Sequence, residues 1–256
     1  MMLELIFITL ASGLAGFIDA IVGGGGLVLV PALFAAFPTT EPATLLGTNK
    51  SASVWGTGMA AWQYSRRVPV RWRALGWGAA AAALASFAGA WALTLVSADA
   101  LRRLLPVILL VVFVYTLVKK DLGQVHAPRY SGRREAVLIA LIGAATGFYD
   151  GFFGPGTGSF MVFLLVRVLG YDFLGAAMGA KVLNVATNLA ALLLLGAKGH
   201  VWWQMGLVMA VANVAGSVLG SRLALRKGAG FVRGVFIVVV GVLIVKAVWD
   251  GWLKTA

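Results

Sequence analysis

Lys50 and Lys181 stand inside segments otherwise rich in Ala, Leu, Val and Gly. Each follows an aspartate and a glycine cluster at the same distance: GFIDAIVGGGG at 16–26 and GFYDGFFGPGT at 147–157. Asp19 matches Asp150 and Lys50 matches Lys181, both at a step of 131 residues. Trp72 with Trp203, and Gly89 with Gly220, keep that step without a gap. An ammonium near the centre of a lipid-inserted helix costs roughly 2.5–3.5 kcal/mol. Two such costs at matching positions need a reason. Either both lysines bind an anion near the membrane midplane, or each snorkels or pairs with an aspartate for structure alone.

The neighbours extend the pattern. Ser53 and Thr57 follow Lys50 by three and seven residues, and Asn184 and Asn188 follow Lys181 at the same spacing. Positions i, i+3 and i+7 share one helix face, so each segment presents a polar stripe led by lysine. Asn49 adds hydrogen-bonding capacity beside Lys50, and Trp55, about one turn beyond, is expected near the same site. Bonding between helices is the plain alternative for the Ser, Thr and Asn side chains. Gly24, Gly25 and Gly26 precede one short apolar run, and Gly156, Thr157 and Gly158 precede another. A break ahead of a short helix leaves N–H groups and a positive dipole end that attract anions. Close helix packing is the competing reason for the glycines. Asp19 and Asp150 have three open roles. They can pair with the lysines, accept protons and so couple transport to a gradient, or hold the glycine bend.

These residues need a scaffold, and composition says which kind. Apolar residues make up 61% of the 256 and charged ones 12%, against about 25% charged in soluble domains. Runs such as 78–96 are long enough to cross a bilayer. The expectation is an all-α integral membrane protein. The apolar start lacks a basic leader, so a cleaved signal is not expected. There is no cysteine, hence no disulfide and no thiol chemistry. His126 and His200 are isolated, and neither a metal, a cofactor nor a catalytic set is expected.

The net charge of +12 raises the question of nucleic acid, but its placement answers it. Most Lys and Arg fall in three short loops, around 66–73, 119–134 and 222–233. Basic loops between apolar helices mark the cytoplasmic side and contact anionic lipids. Five apolar segments are predicted per half: 3–22, 27–37, 43–64, 74–96 and 101–119, then 136–152, 159–169, 174–197, 202–225 and 231–249. An odd number of segments inverts the second copy, and the loop charges agree with that inversion. The layout predicts two inverted-topology repeats, 1–119 and 135–256, joined by a cytoplasmic linker at 120–134. Eleven helical residues rise about 17 Å, too little for a core of about 30 Å. The second segment of each half must therefore form a glycine-broken hairpin with the first, leaving three transmembrane helices beside it.

The two glycine–aspartate strings, GTNK at 47–50 with its mate GAKVLN at 179–184, and GFYDGFFGPGTGSF at 147–160 resemble the TauE/SafE sulfite exporter family. That family is also called the toluene sulfonate uptake permease family, and the resemblance covers nearly the whole chain. It implies a multi-pass transporter of the bacterial inner membrane. The substrates it implies are small anions: sulfite, sulfonates, sulfoacetate or related organic acids. The expected activity is a secondary carrier with alternating access and no enzymatic function. An anion channel is the alternative, and a membrane-embedded enzyme a distant one. Substrate anions, membrane lipids and protons are the expected partners. Oligomeric state is left open.

Overall fold

The computed structural model describes residues 2–97, 100 and 127–252. Among them are eight helices and no strand: α1 (Met2–Val22), α2 (Gly26–Ala36), α3 (Pro42–Ser65), α4 (Trp72–Leu93), α5 (Gly132–Phe152), α6 (Thr157–Leu169), α7 (Phe173–Ala197) and α8 (Trp203–Trp252). The expected segment 101–119, and the linker as far as 126, lie outside the described residues. Gly228 interrupts α8 with non-helical backbone (φ 79°, ψ −172°), so the ninth and tenth expected segments meet there. Local chemistry sets the other boundaries. Pro42 occupies the first turn of α3, where its missing N–H costs nothing. Asp172 caps α7 by accepting the Gly175 N–H at 3.0 Å.

Among the described residues five helices are long and apolar enough to cross a membrane: α1, α4, α5, α7 and the Trp203–Gly228 part of α8. α3 has the length, 24 residues, but its lysine-led stripe keeps it out of that set. Leu10, Leu84, Leu193 and Val211 point outward while Lys50, Asp150 and Lys181 are buried. That arrangement is stable in lipid, where outward apolar side chains are solvated and ionisable groups turn inward. The protein is a multi-pass helical membrane protein.

Small residues let the helices approach closely. α1 lies along α8 in the same direction: the Ser12 hydroxyl donates to the Met209 carbonyl at 2.8 Å, and Gly220 sits against the Phe17 carbonyl. α4 lies along α5 in the same way, with Gly78 on Ile139 and Gly89 on the Phe148 carbonyl. α3 and α7 run antiparallel. Glu41, ahead of α3, lies 3.4 Å from His200, after α7, while Tyr64 near the end of α3 shares a buried cluster with Phe173 at the start of α7.

Several contacts recur with the halves exchanged. Ser86 donates to the Thr187 carbonyl at 2.8 Å, and Ser217 to the Gly56 carbonyl at 2.5 Å. Adding 131 to one partner and subtracting it from the other turns the first bond into the second. Gly89 on Phe148 and Gly220 on Phe17 are related in the same way.

Basic side chains gather at one end of the bundle. Arg66, Arg67, Arg222 and Arg226 line one groove there. Beside it, Arg71 donates to the buried Glu135 at 2.8 Å, and the Tyr171 hydroxyl donates to the same carboxylate oxygen at 2.5 Å. The Glu135 hydrogen bond and charge hold the Arg71 guanidinium above its ordinary range. Burial first, then Glu135, pushes the Tyr171 phenol up.

Candidate functional site

α3 brings Lys50 to the centre of the bundle, where its ammonium donates to Asp150 Oδ2 at 2.6 Å. Asp150 belongs to the last turn of α5, in the other half of the chain. α7 brings Lys181 to the matching place. Its ammonium donates to the main-chain carbonyl of Asp19 and stands 3.8 Å from Asp19 Oδ2. Each lysine therefore pairs with the aspartate of the opposite half, which is the pairing alternative in the sequence reading. The side chains of Lys50 and Asp150 are each 3% exposed, Lys181 is 1% and Asp19 is 14% exposed. Burial on this scale demands partners, since an unpaired buried ion costs several kcal/mol.

A small polar cavity lies between these pairs. α3 lines it with Asn49, Lys50, Ser53 and Thr57, and α7 with Asn184 and Asn188. Asp19 and Asp150 close it from α1 and α5. The first glycine break contributes Gly23, Gly25 and Gly26, and the second Gly154 and Gly158. Its water-accessible space is about 20 Å³, room for about one water molecule. Within it Thr57 donates to Asp19 Oδ2 at 3.1 Å, and Asn188 donates to Asn184 Oδ1 at 2.7 Å. Ser53 lies 3.5 Å from Asn49 Oδ1.

The other expected site residues sit behind this lining. Lys181 braces the end of α1, where a cation suits the negative end of the helix dipole. Gly24 is buried beside the Ser159 hydroxyl. Gly156 (φ 83°) makes the turn into α6, and Thr157 stitches that turn by donating to the Gly154 carbonyl at 2.7 Å. The two breaks also hold each other. The Ser159 N–H donates to the Gly23 carbonyl at 3.0 Å, and the Ser159 hydroxyl to the Val22 carbonyl at 3.0 Å. One donor at the α6 N-terminus is thus spent on the other half. The bend after α1 is closed by the Gly23 N–H on the Asp19 carbonyl at 2.8 Å. That is a main-chain bond, and the Asp19 carboxylate instead takes Thr57.

Two residues depart from the sequence expectation. Trp55 is 58% exposed on the outer face. Five residues along a helix turn it about 140° away from Lys50, so it faces lipid rather than the site. Asn213, from α8, lines the cavity together with Ala15. Its amide donates to the Ser12 carbonyl at 2.9 Å. The repeat pattern could not reveal Asn213, because its mate at the 131 step is Ala82. Its isolation as an Asn in the apolar run 207–215 was the available signal.

A helical bundle of bilayer-spanning length around a charged, two-sided polar cavity is the arrangement found in membrane transport proteins. The family model for the sulfite exporter TauE/SafE matches residues 8–247, and the chain belongs to that family. It is 38% identical over 237 residues to the probable membrane transporter protein YfcA of Escherichia coli strain K12, covering 93% of this chain and 87% of that protein. It is 35% identical over 247 residues to the probable membrane transporter protein ORF9 of Sinorhizobium sp, covering 96% and 93%. A Haemophilus influenzae protein also named probable membrane transporter protein is 35% identical over 245 residues, covering 93% and 92%. No solved structure gives a significant match.

Proposed function

We propose that this chain is a secondary transporter that carries small anions across the bacterial inner membrane by alternating access. Sulfite, a sulfonate, sulfoacetate or a related organic acid is the substrate class, and the sulfite exporter family's name supports the first of these. The moving parts are two inverted-topology repeats, 1–119 and 135–256, connected by the linker 120–134. The exchanged contacts and the antiparallel course of α3 and α7 support that arrangement. Lys50, Asn49, Ser53, Thr57, Asn184 and Asn188 bind the anion, with N–H groups at the α2 N-terminus beside Gly25 and Gly26. Asp19 or Asp150 couples transport to protons.

The observation that carries the reading is the pair of ion bridges that cross between halves around a small polar cavity. A space for one water does not admit a sulfonate head group. The halves must therefore separate for loading, and the bridges must loosen as they do. Isolated deep charges with so little room favour a carrier over the continuous conduit of a channel.

Ligand that binds the native state raises its melting temperature. Purified protein should be melted against sulfite, sulfonates, sulfate and carboxylates. Stabilisation by one class, lost in Lys50→Gln, is the expected result. Flux that never saturates, at ion-channel rates, would instead establish the channel.

A further inference from the structure

We infer that Asp150, rather than Asp19, is the carboxylate that takes up a proton with the anion, at one proton per negative charge bound. The inference rests on the anion-carrier reading above and deepens it. It starts from the charge of the site. Lys50, Lys181, Asp19 and Asp150 together bring two positive and two negative charges, so the site is neutral before anything binds. A monoanion entering alone would leave an excess negative charge in a space that holds about one water. Little solvent remains there to screen it.

Geometry then separates the two aspartates. Among the described residues Lys50 is the one lysine lining the cavity, and its ammonium is already engaged by Asp150 at 2.6 Å. An anion can use that ammonium only if Asp150 yields it. A proton from bulk water adds to a carboxylate oxygen of Asp150 and forms an O–H bond. Lys50 keeps its charge and turns to the anion, and the site returns to neutrality. No bond in the substrate breaks. Protonating Asp19 does not achieve this. It would free Lys181, which is off the cavity lining and bound to the main-chain carbonyl of Asp19. The carboxylate of Asp19 also accepts from Thr57, a neutral donor that stays in place.

The surroundings of Asp150 leave few other charges to consider. From α3 comes Lys50, and Asp19 of α1 lines the same cavity with Lys181 of α7 behind it. On the remaining helices packed against α5, α4 carries only Arg73 and α6 only Arg167, each at the end of its helix remote from Asp150. The Lys50–Asp150 bridge also joins the two halves. Proton and anion together would therefore release the contact that rocking must break.

Methanesulfonate suits the test because it stays ionised across the usable pH range, so any proton taken up goes to the protein. Its binding to the purified full chain should be measured calorimetrically in buffers of different ionisation enthalpy. Wild type and Asp19→Asn combined with Lys181→Gln, which removes one charge of each sign and keeps the site neutral, should each take up about one proton per anion, and their affinity should fall about tenfold per pH unit on the alkaline side. Asp150→Asn, which mimics the protonated acid, should bind with no proton uptake and no such pH dependence. Wild type that binds without protons, the double variant that loses the proton, or Asp150→Asn that keeps it would each overturn the inference. If Asp150→Asn does not fold, the proton counts of wild type and the double variant decide it. Failure of sulfite, methanesulfonate, toluenesulfonate, sulfoacetate and carboxylates all to bind would remove the anion reading itself, and this inference with it.

Discussion

On one side of the cavity the Lys50 ammonium meets a carboxylate at 2.6 Å and belongs to the lining. On the other side Lys181 stands 3.8 Å from its carboxylate, turns to a main-chain carbonyl and lies behind the lining. The two lysines occupy equivalent positions in the repeat, and their partners are equivalent aspartates. Their flanks differ: Asn49, Ser53 and Thr57 beside Lys50 answer to Ala180, Asn184 and Asn188 beside Lys181. A duplicated motif has thus placed one ammonium, held by a carboxylate, toward the cavity and used the other to tie a helix end. Duplication supplies matching charges, and the two copies then serve differently.

That contrast can be broken most directly at the lysines. Lys181→Gln should lower stability by about 3–5 kcal/mol, since it strips a buried carboxylate and a helix end of their partner. Melting in detergent measures it. Lys50→Gln should be comparably destabilised, and Lys50→Gln with Asp150→Asn should recover folding without recovering anion binding. A Lys181→Gln protein that melts like wild type but binds no anion would reverse the two roles.

The glycine breaks provide a second comparison. Gly23 has φ 79° and packs on the Gly158 backbone, so a methyl group there strains the chain and meets main chain that cannot yield. Gly154 has φ 97°, but the nearest atom to an added methyl is the Lys50 ammonium at 3.0 Å, the end of a flexible side chain. Gly23→Ala should cost more than the roughly 1–3 kcal/mol of a strained backbone position. Gly154→Ala should fall within that range and weaken anion binding. Equal losses of stability with binding intact would mean that neither break touches the site.

Asn213→Ala tests the residue without a counterpart. Loss of its bond to the Ser12 carbonyl should cost about 1–3 kcal/mol. Binding should also weaken, whereas a change at its mate, Ala82, cannot remove a polar contact.

The smallest effect is expected far from the cavity. The folded chain holds the Tyr171 proton more tightly than an ordinary tyrosine, whose value is about 10. The stability linked to that proton is fully present below about pH 10. It is lost as the pH rises through the raised folded value. Tyr171→Phe should reduce the alkaline loss of melting temperature by a small amount and leave anion binding unchanged.

Much of the scaffold was readable because lipid imposes strict lengths and strict polarity. The first, third, fourth and sixth to eighth segments begin and end within a few residues of the helices observed. The short second segments also hold, at Gly26–Ala36 and Thr157–Leu169. Lys50, Ser53, Thr57, Asn184 and Asn188 could be grouped because helical spacing alone puts them on one face. Trp55 departs from its expected place because nearness to Lys50 along the chain is not nearness in space. Asn213 has no twin, so repetition does not point to it.

The sequence by itself determined a helical membrane protein with two matched sets of Lys, Asp and Gly, because period, length and charge placement are local properties of a chain in lipid. Only the tertiary structure decided which aspartate each lysine meets, and which lysine reaches the cavity. Those outcomes depend on how α1 lies on α8, helices separated by most of the chain, and α4 on α5 across the two halves, and on the roughly one ångström that divides a 2.6 Å bridge from a 3.8 Å one.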